Sequence, residues 1–185
     1  MYDLSIAFAL VCSLLVPSAQ AATDSNFTKV CMSGELAGTG SCPADPVVGH
    51  GPNNWACTRD NTTQLIWSIE TFSNKTWAQA TDHASGSLAD GYNGSARCGF
   101  HANWRVPTRD ELGSIVPQGG GPKVVDMSYF PEAVYNWHWS SDSVSTRPDR
   151  AWIGFFYNGL TVPRDKARSM SMYVRLVRSE LSMEL

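Results

Sequence analysis

Hydrophobic and polar positions along this chain change rhythm several times, and the changes mark the elements. Gln64-Leu65-Ile66-Trp67-Ser68-Ile69 is a short β-prone apolar run. Before it stand Trp55-Ala56-Cys57 and the turn-forming cluster Thr58-Arg59-Asp60-Asn61-Thr62-Thr63, so the whole segment predicts a hairpin. In Trp137-His138-Trp139-Ser140-Ser141 large aromatics alternate with polar residues, which puts Trp137 and Trp139 on one face of a strand and His138 on the other. Ala151 to Tyr157 and Leu160-Thr161-Val162 flank Asn158-Gly159, the strongest short-range hairpin signal. Met172 to Arg178 predicts one closing strand.

Helical signals are local and carry their own caps. Thr76-Trp77-Ala78-Gln79 has the spacing of a capping box and leads into an Ala-rich helix to about His83-Ala84, with Gly86 as its stop. Pro107-Thr108-Arg109-Asp110-Glu111 repeats the device, because Pro107 holds the preceding residue extended while Thr108 and Glu111 satisfy each other's free backbone donors. After that helix, Pro117 and Gly119-Gly120-Gly121 end regular structure, and an irregular stretch runs to Phe130-Pro131. Residues 22–54 are rich in Gly, Pro, Ser, Thr and Asp, which predicts a loop-rich N-terminal extension to a domain at 55–179, with 180–185 as a tail. No internal repeat is visible, so a solenoid or propeller is disfavoured.

Composition narrows the class. With 185 residues, 43% hydrophobic and 17% charged, the chain fits one compact domain plus extras, and no apolar stretch reaches the roughly 20 residues a membrane span needs. Leu4 to Val16 has the length of a leader's apolar region, and Ala19-Gln20-Ala21 offers small residues for cleavage, so 1–21 reads as a signal peptide even though Met1-Tyr2-Asp3 lacks a basic residue. Its removal takes Cys12 away. Cys31, Cys42, Cys57 and Cys98 remain, an even set that in an exported protein predicts two disulfides rather than metal ligands. Three pairings are possible; Cys31 with Cys42 and Cys57 with Cys98 is favoured, since the first closes a short Gly-rich loop and the second ties two parts of the core.

The formal net charge of −3 argues against a nucleic-acid footprint. Distribution says more. Arg147, Arg150, Arg164, Lys166, Arg168, Arg175 and Arg178 face only Asp149 and Asp165 in the same stretch, a local excess of +5. Catalytic chemistry finds little footing: His138, Ser140, Ser141 and Asp142 are close in sequence, but neighbouring strand residues point to opposite faces, and there is no Gly-x-Ser-x-Gly elbow. Cys98 and His101 form only a Cys-x-x-His fragment, and His50 and His83 lack a partner at helical spacing, so no metal or other cofactor is expected.

The ordered motifs Cys57…Arg59-Asp60-Asn61…Leu65-Ile66-Trp67…Thr76-Trp77…Cys98-Gly99-Phe100…Trp104-Arg105-Val106-Pro107-Thr108…Trp139-Ser140-Ser141…Ala151-Trp152…Tyr173-Val174-Arg175-Leu176-Val177-Arg178 form a longer signature. It resembles the Lcl C-terminal domain family, named for a bacterial collagen-like adhesin, over roughly Trp55 to Ser179. The resemblance implies an α+β, C-type-lectin-like fold with two short helices and a twisted antiparallel sheet, related also to sulfatase-modifying-factor domains. It implies an exported bacterial protein, and in the adhesin the domain binds glycosaminoglycans. It also suggests that Trp104, Trp139 and Trp152 are core aromatics and that Arg105 and Arg175 hold carboxylates. Gln64 departs from the pattern, standing where the family usually has glycine, and Val106 replaces a leucine. No collagen-like tract precedes the domain.

Other properties of the related folds do not transfer. Formylglycine-generating relatives need late reactive cysteines, and none follows Cys98. Calcium lectins use Glu-Pro-Asn or Gln-Pro-Asp with Trp-Asn-Asp, and the nearest echo, Arg147-Pro148-Asp149, places a cation where a ligand oxygen should be. The resulting expectation is a secreted, periplasmic or surface-located module that is not an enzyme and that recognises an anionic polysaccharide or a surface protein. Arg147, Arg150, Tyr157, Arg164, Lys166 and Arg168 are its candidate contacts, through charge pairing and aromatic stacking. A structural subunit of a surface assembly is the alternative, and an unrecognised enzyme ranks behind it.

Overall fold

The computed structural model describes residues 26–82, 87–116 and 125–180. The expected leader, the helix stop at Gly86, the break at Pro117 to Gly121 and the tail beyond Glu180 fall outside these residues. Two sheets build the described domain. One has the order β1 (Phe27–Cys31), β2 (Trp55–Asp60), β3 (Leu65–Ser68), β9 (Val177–Ser179) and is antiparallel throughout. The other has the order β4 (Phe72–Ser73), β8 (Met172–Val174), β5 (Trp137–Val144), β6 (Arg147–Phe155), β7 (Thr161–Asp165), with β5 and β8 parallel and the other pairs antiparallel. With the short helices α1 (Trp77–Thr81), α2 (Leu88–Asn93) and α3 (Arg109–Ser114), the class is α+β, with a mixed second sheet in place of one antiparallel sheet.

The three helices among the described residues start on reciprocal capping boxes, at Thr76 with Gln79, Ser87 with Asp90, and Thr108 with Glu111. The second was hidden in the sequence: its box ends in Asp rather than Glu or Gln, and Gly91 inside Leu-Ala-Asp-Gly-Tyr-Asn weakens the helical pattern. The β2–β3 turn is closed by Asp60, whose carboxylate accepts the Thr62 and Thr63 N–H groups at 2.9 and 3.2 Å. Gln64 then takes the left-handed conformation, φ 61°, which costs a non-glycine residue about 1 kcal/mol. Its side chain offsets this by donating to Asn61 O at 2.8 Å and accepting from Arg59 Nη2. The predicted β6–β7 hairpin exists but closes on a four-residue loop, with Asn158 and Gly159 both donating to Phe155 O and Gly159 at φ 72°.

Residues 26–54 are more than a loop-rich extension. β1 pairs along β2 as an edge strand, and Cys31 is bonded to Cys42. Gly34 lies so close to Gly99 that a Cβ on either would come within 2.9 Å of the other's Cα, while Gly99 N donates to Met32 O. Glycine is required on both sides of that contact. A five-residue strand with three half-buried positions leaves almost no alternation to read, which is why its sequence looks like loop.

The expected single closing strand is two strands in different sheets. Met172–Val174 belongs to the second sheet and Val177–Ser179 to the first, so the chain changes sheets at Arg175-Leu176. Leu176 O accepts from Ser68 N at 3.0 Å. The fully buried Arg175 guanidinium donates to Ser68 O, Ile69 O and Thr71 Oγ1 at 2.6, 2.9 and 2.7 Å. Its partners are thus carbonyls and a hydroxyl rather than the carboxylate expected for it. Arg105, by contrast, does grip one, pairing both terminal nitrogens with Glu111 at 2.7 and 2.6 Å.

Apolar side chains fill both faces of this frame. One cluster gathers the Cys57–Cys98 disulfide, Trp104, Trp139, Ile153, Met172 and Val174; the other gathers Trp67, Leu112, Ile115, Phe130 and Phe156 beneath α3. Trp104 and Trp139 are core residues as expected, but Trp152 is only half-buried and carries the Arg109 guanidinium 4.9 Å above its ring. Replacing Arg175 by Lys keeps the charge but loses the planar fork, and the remaining ammonium cannot reach every acceptor. Arg175→Lys is expected to lower unfolding free energy by about 2 kcal/mol. Urea unfolding that matches wild type would show that the fork does not hold the sheets together.

Candidate functional site

The β6–β7 hairpin forms the outer margin of the second sheet, with Arg150 opposite Asp165 and Ala151 opposite Arg164. Bonds from Phe155 N to Leu160 O and from Lys166 N to Asp149 O fix the alternation, so the position of Pro163 is one whose N–H would point outward. Proline there removes the central outward donor of the edge, between those of Thr161 and Asp165, and so interrupts the row a foreign strand would pair with. Beyond β7 the chain curls: Asp165 Oδ1 accepts from Ala167 N at 2.8 Å and Asp165 O from Arg168 N at 3.1 Å. This curl brings Arg150, Arg164 and Arg168 around an open groove of about 480 Å3, completed by Pro163, Asp165 and Ala167.

Neighbouring groups restrain these cations without neutralising them. Arg147 and Arg150 flank the exposed Asp149 at 3.6 and 3.9 Å, beyond hydrogen-bond distance, and such surface pairs are worth little. Arg164 lies 5.4 Å from the centre of the Trp137 ring, itself stacked on Phe155 at 4.4 Å. Lys166 is more firmly held, 4.0 Å over Trp77 and donating to Ser143 Oγ at 2.7 Å. Arg175 and Arg178, counted in the same basic run, are fully buried; Arg178 donates to Ala102 O and lies 3.5 Å over Phe100. The outward patch is therefore smaller than the density of basic residues implied.

Tyr157 is not part of that cluster. It sits in the hairpin loop beyond the Gly154–Thr161 pair, four rungs or about 13 Å along the ladder from the Arg150–Asp165 pair. The structure thus groups Arg147, Arg150, Arg164, Lys166 and Arg168 at one end of the hairpin and leaves Tyr157, half exposed, at the other. Sequence reasoning missed Trp77 and Trp137, the rings on which two of the cations rest. No local signal joins residues so far apart in the chain.

The quartet at 138–142 is dispersed. Ser140 Oγ donates to Trp152 O at 3.0 Å, Asp142 accepts from Arg109 N at 2.7 Å at the start of α3, and His138 is buried against Phe156, 3.6 Å between ring centres. No nucleophile and base meet there. Among the described residues, no three His, Cys, Asp or Glu side chains are grouped so as to hold a metal ion. No helix among them is long and apolar enough to cross a membrane.

Residues 56–178, from β2 into β9, match the family model described as the Lcl C-terminal domain. The chain belongs to the Lcl C-terminal domain family. No curated protein matches it. The Lcl C-terminal domain segment contains the whole basic edge but not β1 or the Cys31–Cys42 bridge, so the first sheet takes its outer strand from residues that precede the matched segment.

Buried electrostatics set a pH limit on this Lcl C-terminal domain. Complete burial, with the Arg175 charge as a second cause, pushes the His138 imidazole down to about 3, although the Asn136 carbonyl 3.0 Å from Nδ1 opposes the shift. The neutral ring donates from Nδ1, and Nε2 has no partner among the described residues. Above the unfolded value near 6.5 both states are neutral and the group is silent; below it only the unfolded chain takes up the proton. Stability should therefore fall by about 1.4 kcal/mol per pH unit from pH 6.5 toward 3 on account of this residue. Denaturant titrations from pH 7 to pH 5 should show His138→Phe losing less stability than wild type. Parallel profiles for the two proteins would contradict the assignment.

Proposed function

We propose that this chain is an exported, non-catalytic recognition module that grips an anionic polysaccharide along the β7 edge, on a scaffold of the C-type-lectin-like kind. The groove carries the reading: three guanidinium groups, Arg150, Arg164 and Arg168, border it, while the one carboxylate among its described lining residues, Asp165, has an oxygen occupied by the Ala167 amide. Planar guanidinium groups pair with sulfate or carboxylate oxygens in two-pronged fashion, which suits a repeating anionic chain better than a single point charge. The absence of a strand-pairing donor at Pro163 favours side-chain recognition over addition of a β-strand. The two disulfides support an oxidising location, in the periplasm or at the cell surface.

Heparin is a suitable probe, and the Trp137 ring beneath Arg164 gives an intrinsic fluorescence signal. Arg164→Ala with Arg168→Ala is expected to weaken heparin binding at least about tenfold, and wild-type binding should weaken as salt is raised. The melting temperature of the double variant should stay within about 2 °C of wild type, because both side chains are exposed. Equal affinities in variant and wild type, or binding insensitive to salt, would remove the basic edge from the account.

A further inference from the structure

We propose that the depression between α1, α2 and the start of α3 is a second binding site, for an uncharged hydroxyl-bearing ring the size of one hexose. It encloses about 210 Å3 and is lined by Ala80, Thr81, Ala89, Arg105, Val106 and Ser141. Sites for drug-sized ligands occupy roughly 300–1,000 Å3, so this one fits a single ring of about a dozen heavy atoms. Its floor consists of three buried side chains, Ala80, Ala89 and Val106. Two of these are alanines on facing helices, and a larger residue at either position would fill the space.

The rim is polar, and its hydrogen-bonding groups are of mixed kind. The Ser141 hydroxyl has no hydrogen bond among the described residues, although the Ser141 amide donates to Pro107 O at 2.8 Å. Thr81 Oγ1 donates to Trp77 O at 2.8 Å, which leaves its lone pairs free to accept. Arg105 is held rigidly by Glu111 through both terminal nitrogens, while its Nε–H makes no hydrogen bond among the described residues. The rim thus presents a donor, an acceptor and a group that is both.

Hydroxyl groups answer such a rim because they donate and accept at once, and the C–H face of a saturated ring answers a floor of methyl groups. Charge points the same way. Arg105 is the one charged residue among the described lining residues and Glu111 balances it, so an anion gains no net field, and an ammonium would meet the guanidinium. This inference does not depend on polyanion binding at the β7 edge, since the two sites have no lining residue in common.

Saturation-transfer NMR and calorimetry on the full chain, with glucose, galactose, N-acetylglucosamine and myo-inositol as probes, test it. At least one probe should bind with a dissociation constant of about 1–10 mM, unchanged between low and high salt. Ser141→Leu, which closes the mouth, should weaken binding at least about tenfold, and Ser141→Ala about fivefold, with melting temperatures held. Should Ser141→Leu not fold, Thr81→Val, which removes the rim acceptor with little change of size, should weaken binding about fivefold. The proposal is overturned if no probe binds, if binding survives these changes undiminished, or if it weakens with salt in the manner of an ion pair. Heparin binding lost in the Arg164 and Arg168 variant while hexose binding persists would support both sites separately.

Discussion

The buried Arg175 guanidinium marks the point where the chain crosses between the two sheets of the described domain. The chain leaves the second sheet after Val174 and enters the first at Val177, and Arg175 lies at the crossing with its fork on the Ser68 and Ile69 carbonyls and the Thr71 hydroxyl. A guanidinium without water is expensive unless its donors are met, which is why burial pulls Arg175 down to about 10 while the Glu132 charge supports it. The carbonyls it meets belong to the end of β3 and the residue after it. In the folded state the end of β3 and the entry to the last strand therefore share one set of hydrogen bonds. His138, packed in the same region and lowered further by the Arg175 charge, must remain neutral.

That constraint shapes the outside. Because β8 is placed beside β5 by the crossing, β5 to β7 extend away from the frame as a ladder whose far margin meets solvent. Both margins of the first sheet are covered. Arg105 pairs with Val177 along β9, and residues 35–37 close over β1 through Cys31 N to Glu35 O and Ala37 N to Lys29 O. The β7 margin instead carries Pro163 and cations resting on tryptophans. An edge protected by proline and charge avoids pairing with other strands while remaining available to ligands that need no backbone partner.

Local chemistry was readable in the sequence, and long-range chemistry was not. The Thr108–Glu111 box, the β2–β3 turn and the β5, β6 and β7 strands depend on neighbours within a few residues, so pattern suffices to find them. The change of sheet at Arg175-Leu176 leaves no mark, since Met172 to Arg178 is an unbroken β-prone run. Depth was equally hidden: Arg175 and Arg178 look like surface residues by type, yet both are buried on carbonyls. The candidate site was half legible. Five of its cations do gather at one hairpin end, but the loop length that carries Tyr157 away and the rings beneath Arg164 and Lys166 depend on strand register.

Under the proposed function the β6–β7 margin meets an anionic chain, while the buried guanidinium groups of Arg175 and Arg178 serve the fold. Mapping amide and indole resonances while a short heparin fragment is added tests this most directly. Shifts are expected to concentrate at residues 147–168 and at the Trp77 and Trp137 indoles, with Arg175 and Arg178 unmoved. Shifts clustered elsewhere on the domain, with those residues silent, would contradict it.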